Sequence, residues 1–165
     1  MSYNDRFQST DDLINHLIVF VPTLPDEQIK SNYAGFLSAS AVTVYELAIK
    51  DIFVEFAEKK NPAFGTFVGK YFDQINGHIK INDVRKYIKS FGEKYLKRFE
   101  TKMEKKNKQL RMICNNDIKA VYGNLITCRH SFIHENRITL TFNEVVEGYK
   151  MGKEIICILS ETMKR

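Results

Sequence analysis

The sequence predicts an all-α fold, an up-and-down helical bundle of about four core helices with extra helices inserted in the middle. Three observations carry that expectation. Apolar residues recur at three- and four-residue spacing over long stretches. Eight glycines and three prolines are few for 165 residues, which disfavours a fold built from short strands and tight turns. There is no internal repeat, low-complexity tract or linker, so residues 1–165 read as one domain. A chain of this length buries roughly 70% of its unfolded surface, enough for a real core.

The first helix is signalled by Ser9 with Asp12 three residues later, followed by Leu13, Ile14, Leu17, Ile18 and Val21. Pro22 and Pro25 stop it. A much longer helix is expected from about Tyr33 to Lys59, with Leu37, Ala41, Val44, Ala48 and Ile52 as its apolar stripe. Tyr45, Ile49, Phe53 and Phe56 widen the stripe, and Asn61-Pro62 ends the helix. Phe64, Phe67, Val68, Tyr71, Phe72 and Ile75 make a short helical face before Asn76-Gly77 breaks it. Asn82 is placed to cap another short helix carrying Val84, Tyr87 and Ile88.

Residues 93–111 are the most charged segment. From Lys94 to Arg111, Lys94, Lys97, Arg98, Lys102, Lys105, Lys106, Lys108 and Arg111 stand against two glutamates, with Tyr95, Leu96, Phe99 and Met103 interleaved. This pattern fits a solvated helix whose apolar residues touch the core. It also fits a face that tracks phosphates, since Lys and Arg gain affinity by releasing counterions from nucleic acid. Asn116 or Asn115 then caps a helix with Ile118, Val121, Tyr122, Leu125, Cys128 and Phe132, ending near His134. After a turn at residues 135–140, Thr141 and Glu144 form a capping-box pattern. The last helix turns Val145, Tyr149, Ile156, Leu159 and Met163 inward.

A net charge of +5 and a pI near 9.0 suit an anionic partner without identifying one. Cys114, Cys128 and Cys157 are odd in number and lack a CxxC, so they read as small apolar residues in a reducing compartment. The first ten residues have no apolar stretch of secretion-signal type. No uncharged apolar run approaches the ~20 residues that span a bilayer. A cytoplasmic chain without a membrane partner is expected.

The chemistry is concentrated in residues 129–134, Arg-His-Ser-Phe-Ile-His. Arg129 offers a planar, permanently charged fork for a phosphate, and histidine, with an ordinary pKa near ~6.5, suits proton transfer at neutral pH. Five helical positions separate Arg129 from His134 by about 140° in direction and about 7.5 Å in rise, so both cannot centre one buried face. If His134 lies at the helix end, its ring can swing toward the groove that Arg129 faces. The alternative is an ion-paired Arg129 and a His134 that merely complements the helix C-terminus. His130 and His134 share a face and could hold a metal, but Glu135, Cys128, His16 and His78 supply no recognisable further ligand spacing. No metal or other cofactor is therefore expected. The acid pairs Asp11-Asp12 and Asp26-Glu27 sit at helix starts, where they complement the dipole. Glu46 lies within an apolar run and needs a partner; Arg129 is one candidate, and an outward position beside Lys50 is the other.

With these residues in view, the chain resembles the HEPN superfamily of small helical nucleases. Arg129 and His134 match the family's R-x4-6-H motif, and His130 occupies the position after the arginine, often polar there. The motif closes a penultimate helix before a last amphipathic one, and a long earlier helix carries the acid Glu46. Residues 125–159 hold nearly all of the specific resemblance; the first 110 match as a helical layout. The resemblance implies a bundle of about four core helices and a homodimer in which two motifs meet. It further implies metal-independent cleavage of an RNA substrate. The 2′-OH attacks, Arg129 holds the phosphate oxygens, His134 moves protons, and His130 orients His134 or touches a neighbouring phosphate. The ends would be a 2′,3′-cyclic phosphate and a 5′-hydroxyl. Such proteins commonly act as toxins or defence effectors, with an antitoxin or regulatory protein as a further partner. Some members instead bind nucleic acid or a partner protein without catalysis.

Overall fold

A computed structural model describes residues 3–74 and 76–164. Among these residues there are seven α-helices and no strand: α1 Gln8–Phe20, α2 Glu27–Glu58, α3 Pro62–Asp73, α4 Ile81–Phe91, α5 Glu93–Cys114, α6 Ile118–Glu135 and α7 Phe142–Met163. Short 3-10 segments, Tyr3–Phe7 and Val21–Thr23, flank α1. No helix among the described residues is long and apolar enough to cross a membrane.

The core is organised around α2. Every residue of its expected stripe, from Leu37 to Phe56, is buried. Its start differs from expectation: Asp26 accepts from the backbone N–H groups of Gln28 and Ile29, so the helix begins six residues before Tyr33. α6 runs against α2, with Phe132 beside Gly35 and the Tyr122 ring 5.7 Å from that of Tyr45. α7 runs along α2 in the same direction, and the Tyr45 hydroxyl donates to the Tyr149 carbonyl at 2.5 Å. α5 lies antiparallel on α7. These four helices form the bundle, and α3 and α4 are the insertion, as the pattern implied.

Several helix starts were misplaced by sequence cues. Ser9 does not cap α1, because the 3-10 segment feeds straight into it and carries Tyr3 and Phe7 into the core. Asn82 lies inside α4, whose N-cap is Lys80 with no side-chain bond. Asp117, rather than Asn116 or Asn115, caps α6 by accepting from Lys119 and Ala120. Asn115 instead ends α5 in the left-handed conformation, φ 56°. Asp117 prevails because Asn107 and Arg111 on α5 also hold its carboxylate. The Thr141–Glu144 capping box forms as expected, and Asn61 caps α3.

Three further expectations need revision. Leu13 and Ile18 are exposed on α1, while Ile14, Leu17 and Val21 are buried. Only Cys128 is a buried core residue; Cys114 and Cys157 are exposed free thiols. Asp11 does more than complement a dipole, since it accepts from the Tyr149 hydroxyl at 2.8 Å and pairs with Lys153 at 2.7 Å. Ile75, assigned to the α3 face, lies outside the described residues.

Candidate active site

The motif occupies the last two turns of α6. Inward-facing Leu125, Cys128 and Ser131 anchor this stretch, and Phe132 is pressed against α2. Its ring meets that of Phe36 edge-on at 5.3 Å. A Cβ on Gly35 would fall 2.4 Å from the Phe132 ring, so only a bare Cα permits this approach. Beyond Glu135, Asn136 adopts φ 49°, and the Arg137 N–H returns to the Ser131 carbonyl at 3.1 Å. The helix therefore stops just after His134.

Against that frame, Arg129 is half-buried, and its Nε is buried with no hydrogen-bond partner. It takes part in no ion pair among the described residues. A desolvated N–H left without an acceptor costs about 1–3 kcal/mol, which sets Arg129, half-buried and without an ion pair among the described residues, apart from the paired cations of the domain. His130 and His134 are both exposed, with ring centroids 4.6 Å apart and tilted by 45°. The three side chains thus combine an unsatisfied guanidinium with two accessible imidazoles at one helix end. Among the described residues no group of three or more His, Cys, Asp and Glu is placed to hold a metal ion.

A family model described as RiboL-PSP-HEPN matches residues 4–165. The chain belongs to this HEPN family. Neither a curated protein nor a solved structure matches it. Membership associates the chain with domains whose functions are nuclease-like or RNA-related.

The other residues singled out from the sequence lie elsewhere in this HEPN domain. Glu46 pairs with Lys50 at 3.0 Å and accepts from the Gly77 N–H at 3.0 Å, so it secures the segment between α3 and α4. It sits eleven residues past Gly35 on α2, about 16 Å along the axis, and is not the partner of Arg129. Of the eight cations on α5, four are engaged. Arg98 donates to the Thr162 carbonyl, Lys102 pairs with Glu161, Lys106 with Glu154 and Arg111 with Asp117. Lys94, Lys97, Lys105 and Lys108 are exposed, with no ion pair among the described residues. The α5 face and the motif are also well separated: α5 meets the start of α6 at Asn107, whereas the motif begins eleven residues further on, about 16 Å away.

Sequence reasoning missed what surrounds the motif. Phe36 is 61% exposed and Ile133 51% exposed, and Ile29 is also exposed on the same stretch of α2. The signal was present as Ile29, Tyr33 and Phe36, a second stripe at helical spacing outside the one that forms the core. A cleft of about 600 Å³ lies beside the loop that leaves α6, lined by residues 138–144 together with Glu27, Lys30 and Ser31 of α2.

Proposed function

We propose that this HEPN domain is a metal-independent endoribonuclease working as a homodimer, with growth-arresting toxin or defence activity. The observation that carries the reading is the buried, unpartnered Nε of Arg129 beside two exposed histidines. RNA brings its own nucleophile, so the protein needs only to move protons and stabilise charge. His134 of one copy takes the 2′-OH proton as that oxygen attacks phosphorus, and the 5′-oxygen leaves with a proton from the other copy's imidazole. Arg129 holds the non-bridging oxygens through charge-assisted bonds that strengthen as the phosphorane forms. His130, one turn from His134, fixes the orientation of the reacting ring.

Dimerisation follows from the same surface. Ile29, Phe36 and Ile133 are exposed apolar residues around the motif, and burying them against a second copy would bring two motifs together. The Phe36→Asp variant should therefore sediment as a monomer and lose cleavage while keeping its helical spectrum.

The test is incubation of the pure protein with labelled RNA in excess EDTA, beside Arg129→Ala and His134→Ala. Fragments ending in 2′,3′-cyclic phosphate are expected from the unaltered protein and from neither variant, with all three equally folded by circular dichroism. Loss of activity with EDTA, or full activity in both variants, overturns the reading. One observation favours a second reading, a non-catalytic module that binds nucleic acid or a partner protein: the unpaired stripe Lys94, Lys97, Lys105 and Lys108 on α5. In that case cleavage is absent and RNA affinity falls steeply with salt.

A further inference from the structure

The inserted helices carry a second exposed apolar surface, far from the motif and unused by the proposed reaction. α3 packs on α2 through Gly65, Val68 and Phe72. Its opposite stripe, Phe64, Phe67 and Tyr71, faces outward at spacings of three and four. Phe67 is 67% exposed and Tyr71 52%. Between this stripe and α4 runs a groove of about 250 Å³, closed on the α4 side by Tyr87, Ser90 and Phe91. Its floor is fixed: Phe72 stacks on Phe53 at 4.9 Å, and Phe53 stacks on Phe91 at 5.2 Å. Such a groove accepts apolar side chains presented at helical spacing.

The charge around it says what kind of helix. Residues 59–94 hold eight Lys and Arg against three Asp and Glu. Lys59, Arg85 and Lys89 are paired with Glu55, Glu100 and Glu93. Other cations on and next to α3 and α4 lack a firm acid partner. Lys60, one turn before Phe64, lies over the Phe56 ring at 5.5 Å, Lys70 has no ion pair among the described residues, and Lys86 reaches Asp83 only at 4.0 Å. A second copy would bring the same surplus against itself, so self-association through this face is opposed. RNA fits the charge of the segment but not the lining of the groove, in which no residue is charged and none can hold a phosphate by an ion pair. We infer that the α3–α4 groove docks an acidic amphipathic helix of a partner protein, its apolar residues seated between Phe67 and Phe91 and its carboxylates on the lysine rim.

The probe is a display library of helical peptides with randomised surface positions, selected on the full-length protein at low salt. Peptides of net negative charge with apolar residues at i, i+4 and i+7 should be enriched. Their affinity should fall at least tenfold in the Phe67→Ala/Tyr71→Ala double variant and with rising salt, and should be unchanged in Arg129→Ala. Because Phe67 and Tyr71 are exposed, the double variant should keep its melting temperature. Absence of groove-dependent enrichment, binders that are neutral or basic, or displacement by uncleavable 2′-O-methyl RNA each overturns the inference. So does a shift from dimer to monomer in the double variant, which would make the groove a self-association surface. Arg129→Ala separates this test from that of cleavage, since it removes the reaction and leaves the groove intact.

Discussion

Two sets of cations in this molecule look alike in the sequence and are held in opposite ways. On α5, Arg98, Lys102, Lys106 and Arg111 each find an acceptor on α7 or at the start of α6. On α6, Arg129 keeps a buried Nε with no acceptor at all. A paired cation has already met its counter-charge, and a phosphate must compete for it. A guanidinium with no protein counter-charge has none to give up when a phosphate oxygen arrives. The density of Lys and Arg pointed to α5, yet the unfilled hydrogen bond is on α6.

The contrast can be broken most sharply at Arg129 itself. Arg129→Lys keeps the charge and removes the fork. Cleavage should drop by about 10²- to 10³-fold, the usual cost of one oxyanion donor, with the melting temperature unchanged. A variant that cleaves normally would mean that Arg129 is an ordinary surface cation. A smaller effect is expected at the junction of α5 and α6. The Asn107 amide, then the Ala120 N–H and the Arg111 guanidinium, hold the Asp117 carboxyl far below the usual carboxylate range, against the opposing effect of burial. Asp117→Ala should cost about 1 kcal/mol of stability in urea titrations at pH 7, as a lost N-cap does, and should leave the chemistry alone. A depressed carboxyl contributes its stability fully above its unfolded value, near pH ~4, and loses it as pH falls toward the folded value. The gap between variant and unaltered protein should therefore be constant near neutrality and narrow below about pH 4; a gap that widens there would contradict the assignment.

The smallest effect belongs to the ion pairs of α5 with α7. Lys102→Ala with Lys106→Ala should lower stability by no more than about 0.3 kcal/mol per pair, and by less at high salt. Unfolding titrations at two ionic strengths read this directly. A loss of several kcal/mol would show these cations to be structural anchors and would deepen the contrast with Arg129.

What the sequence disclosed divides along the same line. Local, periodic information was legible: the stripe from Leu37 to Phe56, the Thr141–Glu144 box and the stop at Asn61-Pro62 all depend on neighbours within a few residues. Choices settled by distant groups were not. Lys102 and Glu161 are 59 positions apart, and Glu46 finds the Gly77 N–H 31 positions away rather than Arg129. The cap of α6 falls on Asp117 rather than on Asn116 or Asn115 because Asn107 and Arg111 tip the choice. At the candidate site, Arg129, His130 and His134 stood out by residue type. That Arg129 would be left without a partner follows from the packing of α6 on α2, which no spacing rule encodes.

The fit of Phe132 over Gly35 has a consequence for positioning. Any side chain at position 35 would start 2.4 Å from that ring and push α6 away from α2. The closeness of α6 to α2 at this level is thus set by the missing side chain, like a key seated in its slot. The two exposed histidines inherit that setting: although they stand on the last solvent-facing turn, their distance from α2 is set by a ring and a hydrogen atom.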